Sequence, residues 1–243
     1  MSRDVGIIWD FDGTLAERPG LWSGCLLEII SDHDPHHGIS RSEIAALMHT
    51  GFPWHTPERP HPQLCEPNAW WREMTSLLAS VLHRLGFSPT TARQLASRVH
   101  EHYIDAGIGW RVFPEVRHEL QRLRDLQCRQ VILSNHSPEL PALVGHLGLA
   151  DYFDAILTSA LIGFEKPHPG SYAAARNILP TATDLWMIGD SEEADALGPE
   201  RNGIRGILLC RNGLHPPQRA TRHAVSLRAT VDIVLSPTHK PPS

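Results

Sequence analysis

Val5-Gly6-Ile7-Ile8-Trp9-Asp10-Phe11-Asp12-Gly13-Thr14-Leu15 is an apolar run that meets two carboxylates two residues apart just where turn residues begin. Such a short apolar run, bounded by turn residues, reads as a strand buried on both faces, here over Val5–Phe11. Similar runs recur at Gln130–Ser134, Asp154–Ser159, Leu185–Gly189, Arg205–Cys210 and Val231–Leu235. Helical stripes separate them: Val116, Leu120, Leu123 and Leu126; Leu140, Leu143, Val144 and Leu147; Tyr172, Ala175, Ile178 and Leu179. Alternating strand and helix predicts an α/β fold with a parallel, Rossmann-like sheet covered by helices on both faces.

The segment 17–110 breaks this alternation, because it separates the first strand from the second by far more than a crossover needs. It carries no strand pattern and several helical stripes: Trp22, Cys25, Leu26 and Ile29; Ile44, Leu47 and Met48; Trp70, Met74, Leu77, Leu78, Val81 and Leu85; Leu95, Val99 and Tyr103. The expected organisation is a core domain of residues 1–16 and 111–243 and an inserted all-α domain of residues 17–110. The five prolines between Phe52 and Pro67 predict an ordered surface loop inside the insert.

Composition sets the class of chain. Of 243 residues, 41% are hydrophobic and 20% charged, with a net charge of −5, which fits a folded protein and excludes a disordered one. The mild acidity and the lack of a basic run argue against nucleic acid as a partner. No apolar stretch is long enough to span a membrane, and Met1-Ser2-Arg3-Asp4 enters the first strand without a signal-peptide pattern. Cys25, Cys65, Cys128 and Cys210 form no C-x-x-C pair and read as reduced thiols of a cytoplasmic protein.

Open α/β sheets bind ligands beyond the carboxyl ends of their strands, and four of these ends are polar. The first ends in Asp10-Phe11-Asp12-Gly13-Thr14 and the second in Ser134-Asn135-His136-Ser137. After the third comes Gly163-Phe164-Glu165-Lys166-Pro167, and the fourth ends in Gly189-Asp190-Ser191 with Asp195 following. Converging carboxylates repel one another unless a hard cation such as Mg²⁺ neutralises them, and a hydroxyl and a lysine beside that cation make an anion site. Carboxylate nucleophile, metal and anion clamp together form a phosphoryl-transfer constellation.

These four motifs, in this order, resemble those of the haloacid dehalogenase-like hydrolase superfamily, in the subclass whose helical cap is inserted directly after the first motif. The resemblance covers the core by motif and the insert by position and helical character. It implies Asp10 as the nucleophile that forms an aspartyl-phosphate and Asp12 as the general acid/base. It implies Ser134 and Asn135 as ligands of the phosphoryl oxygens and Lys166 as the cation that neutralises nucleophile and phosphate. Mg²⁺ would be held by Asp10, Asp190 and the backbone carbonyl of Asp12, and Asp195 matches a downstream acid that either ligates the metal or supports its ligands. Dehalogenases resembling this chain lack the second aspartate, so Asp12 favours a phosphatase acting on a small phosphorylated metabolite. A phosphomutase, for which the insert offers no arginine-rich signature, and a non-catalytic regulatory protein, which would lack one of these residues, are the alternatives.

Within the insert, nine of the 16 histidines form no H-E-x-x-H metal motif and read as structural or solvated. Trp70 and Trp71, adjacent on one helix, cannot both face the same core, which places one of them near the core domain or a substrate. Arg18, Arg59 and Arg72 are candidate contacts to a polar substrate. His136 is placed to face the mouth of the site.

Overall fold

Strands β1 (Val5–Trp9), β4 (Arg129–Ser134) and β6 (Asp184–Gly189) are almost wholly buried, and their side chains alternate between two apolar clusters. Ile7, Trp9, Ile132, Trp186 and Ile188 face one cluster, whereas Ile8, Val131, Leu133, Leu185 and Met187 face the other. This period of two, with apolar residues at both phases, makes a sheet that needs helices on each face. The computed structural model describes residues 4–211 and 217–236. With β5 (Ala155–Thr158), β7 (Arg205–Leu209) and β8 (His223–Ala224), these strands form a six-stranded sheet in the order β5-β4-β1-β6-β7-β8. Every pairing in it is parallel.

Helices α6 (Val116–Asp125) and α11 (Leu227–Leu235) cover one face, and α9 (Pro169–Ile178) covers the other. The expected strand at Val231–Leu235 is therefore part of a helix. Leu227, Val231 and Val234 are buried at spacings of four and three, Ser226 caps the N-terminus through Ala229 N–H, and exposed Asp232 pairs with Arg122 at 2.7 Å. The short run hid a helical period that begins upstream of it, and the sheet edge is taken by the two residues of β8 instead.

The connections into and out of the helical segment pair with each other. β2 (Ala16–Glu17) and β3 (Arg111–Val112) run antiparallel, with Glu17 opposite Arg111. Between them lie α1 (Leu21–His33), α2 (Arg41–Leu47), α3 (Pro67–Arg84), α4 (Pro89–Ser97) and α5 (Val99–Ile104). The stripe Leu95, Val99, Tyr103 spans α4 and α5 across a break at Arg98, and all three residues stay buried. Between β2 and β3 the described structure is helical and turn-like, as the sequence pattern suggests. The proline-rich stretch holds two 3₁₀ turns, Pro53–His55 and Pro62–Leu64. It is less superficial than expected, because Phe52 and His61 are buried.

Two polar ties join this segment to the sheet. Trp70 packs inside, whereas neighbouring Trp71 donates its indole N–H to Glu139 at 2.8 Å, next to α7 (Leu140–His146). His100 stacks on Trp71 and its Nε2 reaches the same carboxylate at 3.0 Å. In the second tie the His61 backbone N–H donates to Gly163 O, and His61 Nε2 meets Glu165 Oε1 at 2.9 Å. Glu165 is fully buried and its other oxygen has no partner. Removing one member of such a buried pair strands the other, so His61→Ala is expected to lower unfolding free energy by about 3 kcal/mol in urea titration. A loss below about 1 kcal/mol would show that this contact does not anchor the segment.

Candidate active site

The strand order decides where the polar residues meet. β1 lies between β4 and β6, so the carboxyl ends of these three strands place Asp10, Ser134 and Asp190 side by side. The chain turns outward through β4 and β5 before returning to β6, and this reversal opens a crevice of the kind that binds ligands in doubly wound sheets. Here it is a cleft of about 640 Å³ lined by Asp10, Asp12, Ser134, Asn135, Lys166, Asp190 and Asp195 from the sheet side. The seven residues to which the four motifs assign roles thus line one cavity. Glu17, Arg18, Leu21, Trp22, Trp54 and Pro57 line it from β2 and the helical segment.

Lys166 organises the floor. Its Nζ donates to Asp10 Oδ1 at 2.8 Å and to Asp195 Oδ1 at 2.6 Å, and all three side chains are buried. Burial disfavours the ammonium, but the two carboxylates outweigh it and hold Lys166 above the ordinary lysine range. Ser134 Oγ donates to the same Asp10 oxygen at 2.9 Å. Asp10 Oδ2, approached by Thr14 Oγ1 at 3.4 Å, is the less engaged of the two. Asn135, expected to meet the phosphoryl group, uses its side-chain amide on the lysine: it accepts from Lys166 N–H at 2.7 Å and donates to Lys166 O at 2.9 Å. The side chain is a clamp on the lysine backbone.

Asp195 sits on a π-helical turn, Glu192–Leu197, that folds back over the end of β6. Its Oδ2 accepts from the Ser191 backbone N–H at 2.9 Å. A Cβ on Gly189 would lie 2.3 Å from that carboxylate, so the close approach requires glycine. Gly13 is constrained twice, by φ +73° and by Asp190 Oδ2, which would lie 2.1 Å from a Cβ there. The turn is also held from outside the motifs. Arg211, stacked on Phe113 and paired with Glu115, donates to the carbonyls of Gly13 and Thr14 at 3.2 and 2.6 Å. No local pattern in the sequence marks Arg211, which is reached only through the tertiary fold; Thr14 was visible in the first motif without a role.

Asp10, Asp190 and Asp195 offer ligand oxygens within 4.8 Å of one another, the geometry of a site able to hold a cation. No other such group of three occurs among the described residues. Asp12 Oδ1 is buried beside them without a hydrogen-bond partner. Burial, then the charges of Asp10 and Asp190, raises Asp12 well above the carboxylate range. Burial with Asp10 and Asp195 lifts Asp190 to about 8, while Asp195, which burial raises and Lys166 lowers, stands at about 6. This excess negative potential suits a hard divalent ion.

The remaining expectations divide. Arg18 lines the cleft but is buried and paired with Glu28 at 2.6 Å, whereas Arg59 and Arg72 lie outside it. His136 does not reach the mouth. It is buried among Phe11, Tyr103 and Trp110, and burial drives its pKa down to about 4, leaving a neutral ring.

A family model for haloacid dehalogenase-like hydrolases matches residues 6–203. The chain belongs to this family. Within it, the HAD-like hydrolase is 34% identical over 115 residues to the phosphoglycolate phosphatase of Rhodobacter capsulatus, covering 46% of this chain and 51% of that protein. It is 40% identical over 100 residues to the (S)-2-haloacid dehalogenase of Xanthobacter autotrophicus, covering 41% and 39%. The chain spans about half the length, or less, of these two curated relatives. The crystal structure of 2-haloacid dehalogenase from Pseudomonas syringae pv. Tomato superposes with a TM-score of 0.66 at 22% identity, covering 96% and 98% of the two chains. The HAD-like hydrolase therefore has both phosphatases and dehalogenases among its relatives. Among its described residues no helix is long and apolar enough to cross a membrane.

The raised carboxylates give a pH signature. A carboxyl whose pKa is higher folded than unfolded stabilises the fold below its unfolded value, and that stability is lost as pH rises through the folded value. For Asp190 and Asp195 this window runs from about 4 to about 8. In chelator, Tm is expected to fall across that range, and a divalent cation is expected to raise Tm more at pH 8 than at pH 5. A cation effect of equal size at both pH values would contradict the clustering.

Proposed function

We propose that this HAD-like hydrolase is a Mg²⁺-dependent phosphatase of small phosphomonoesters that works through an aspartyl-phosphate on Asp10. The observation that carries the reading is Asp12, an unpartnered carboxyl in the cleft whose proton is held by burial and by the charges of Asp10 and Asp190. A halide leaves without a proton, but an alkoxide needs one. Asp12 supplies what ester cleavage requires and dehalogenation does not.

In the first half-reaction an Asp10 carboxylate oxygen attacks phosphorus, the ester P–O bond breaks and Asp12 gives its proton to the leaving alcohol. In the second, Asp12 takes a proton from a water that attacks phosphorus, which frees phosphate and restores the Asp10 carboxylate. Lys166 and Ser134 fix Asp10 and offer positive charge and a hydroxyl to the phosphoryl oxygens, while Asn135 holds the lysine in register. Asp10 and Asp190, with the Asp12 carbonyl, would hold the metal, and Asp195 anchors Lys166. When bound, Mg²⁺ screens the carboxylates from the substrate and polarises the phosphoryl group.

Residues 17–110 act as a cap domain over a core of residues 1–16 and 111–243, excluding water from the cleft. The substrate is a small phosphorylated metabolite, the setting is cytoplasmic and neither nucleic acid nor membrane is a partner. Because nucleophile, acid/base, lysine and metal carboxylate are all present, this reading is favoured over a non-catalytic relative.

The test pairs 4-nitrophenyl phosphate with 2-chloropropionate, each with Mg²⁺, with Ca²⁺ and with chelator. Phosphate release is expected in Mg²⁺, with loss in chelator and poor support from Ca²⁺, whose coordination is longer and less regular. Full hydrolysis in excess chelator would overturn the metal dependence, and chloride release without phosphate release would overturn the phosphatase assignment.

A further inference from the structure

Opposite the carboxylates, the cleft presents Leu21, Trp22, Trp54 and Pro57. Leu21 is unusual in two respects. It is an exposed large apolar side chain, and it holds φ +44°, a left-handed conformation that a non-glycine residue adopts at a cost. The two indoles are half-buried and braced from behind: Trp22 stacks on buried Tyr103 at 4.0 Å and Trp54 stacks on buried Phe52 at 4.5 Å. Each is held in place by an aromatic neighbour. A preformed apolar wall of this kind loses little freedom on binding.

The charges of the cleft point the same way. Its two cationic side chains are already engaged, Lys166 between two aspartates and Arg18 with Glu28. The Arg18 side chain is wholly buried, and its remaining N–H groups are sealed from solvent, with Gly109 packed against Nη1. Glu17 and Glu193 also line it, each already paired, Glu17 with Arg111 at 3.2 Å and Glu193 with Arg201 and Arg219. Among the described residues that line the cleft, a second anionic group on the substrate would meet the aspartates of the floor and no unengaged cation.

Resting on the phosphatase reading, we infer that the wall of Leu21, Trp22, Trp54 and Pro57 is the leaving-group subsite and that it selects phosphomonoesters of apolar, arylalkyl alcohols over carboxylated ones. The phosphoryl group occupies the floor and the flat apolar group lies against the indoles. This substrate class differs from that named for the phosphoglycolate phosphatase relative.

Benzyl phosphate and 2-phosphoglycolate, both esters of unactivated primary alcohols, are compared by kcat/KM with the full chain in Mg²⁺. Benzyl phosphate is expected to be preferred by about tenfold or more, and Trp54→Ala to reduce that preference by about tenfold. Leu21→Ser, at an exposed position where folding is not at issue, is expected to reduce it in the same direction. Tryptophan fluorescence titration with benzylphosphonate and phosphonoacetate reads the wall without turnover, and benzylphosphonate is expected to bind more tightly. A preference for the carboxylated compounds, or a selectivity unchanged in both variants, would overturn the inference. Failure of every phosphate ester to be hydrolysed, with benzylphosphonate still bound preferentially, would instead overturn the phosphatase reading and leave the wall as an apolar subsite of another reaction.

Discussion

A buried ammonium between two buried carboxylates is the interaction on which the rest of this structure depends. Without Lys166, Asp10 and Asp195 would face each other and Asp190 across a low-dielectric cleft with no positive charge between them. With it, one oxygen of Asp10 is held in a fixed position by Lys166 and Ser134. The surrounding devices serve this arrangement: Asn135 clamps the lysine backbone, Ser191 N–H and the π-helical turn aim Asp195, and Arg211 braces the turn that follows Asp12. Lys166 neutralises only part of the local charge, and the carboxylate oxygens of Asp10, Asp190 and Asp195 that remain lie close enough together to hold a hard cation.

The sheet supplies the precision. Because β1 has β4 on one side and β6 on the other, one crevice collects residues from three motifs more than a hundred residues apart in part of the chain. Lys166, carried on a loop rather than a strand, is positioned by what surrounds that loop. The His61–Glu165 pair lies immediately beside it and joins it to the helical segment. The helical segment is therefore tied to the residue next to Lys166 in the chain.

Much of this was legible in the chain, and the reasons are local. Strands buried on both faces announce themselves as short apolar runs, and the polar residues that end them fall at the sheet's carboxyl edge by geometry alone. The reading failed at Val231–Leu235, where a five-residue apolar run carries no period of its own and the capping Ser226 lies outside it. It also failed to find Arg211, Trp54 and the His61–Glu165 pair. Each acquires its role from a neighbour distant in sequence, and no periodicity or spacing encodes that. His136, next to two site residues in sequence, turned inward because its ring completes an aromatic cluster rather than a polar site.

Phosphatases and 2-haloacid dehalogenases are both among the relatives, so the decisive quantity for the proposed reaction is the identity of the group that Asp10 would carry. Asp12→Asn removes the proposed acid/base and is expected to stall the hydrolysis of the proposed intermediate. Mass spectrometry of this variant, quenched in acid after mixing with 4-nitrophenyl phosphate and 2-chloropropionate together in Mg²⁺, tests the account most directly. The account predicts one phosphoryl group on the peptide bearing Asp10; a phosphoryl group on any other residue, or a carbon adduct on Asp10 formed from 2-chloropropionate in its place, would contradict it.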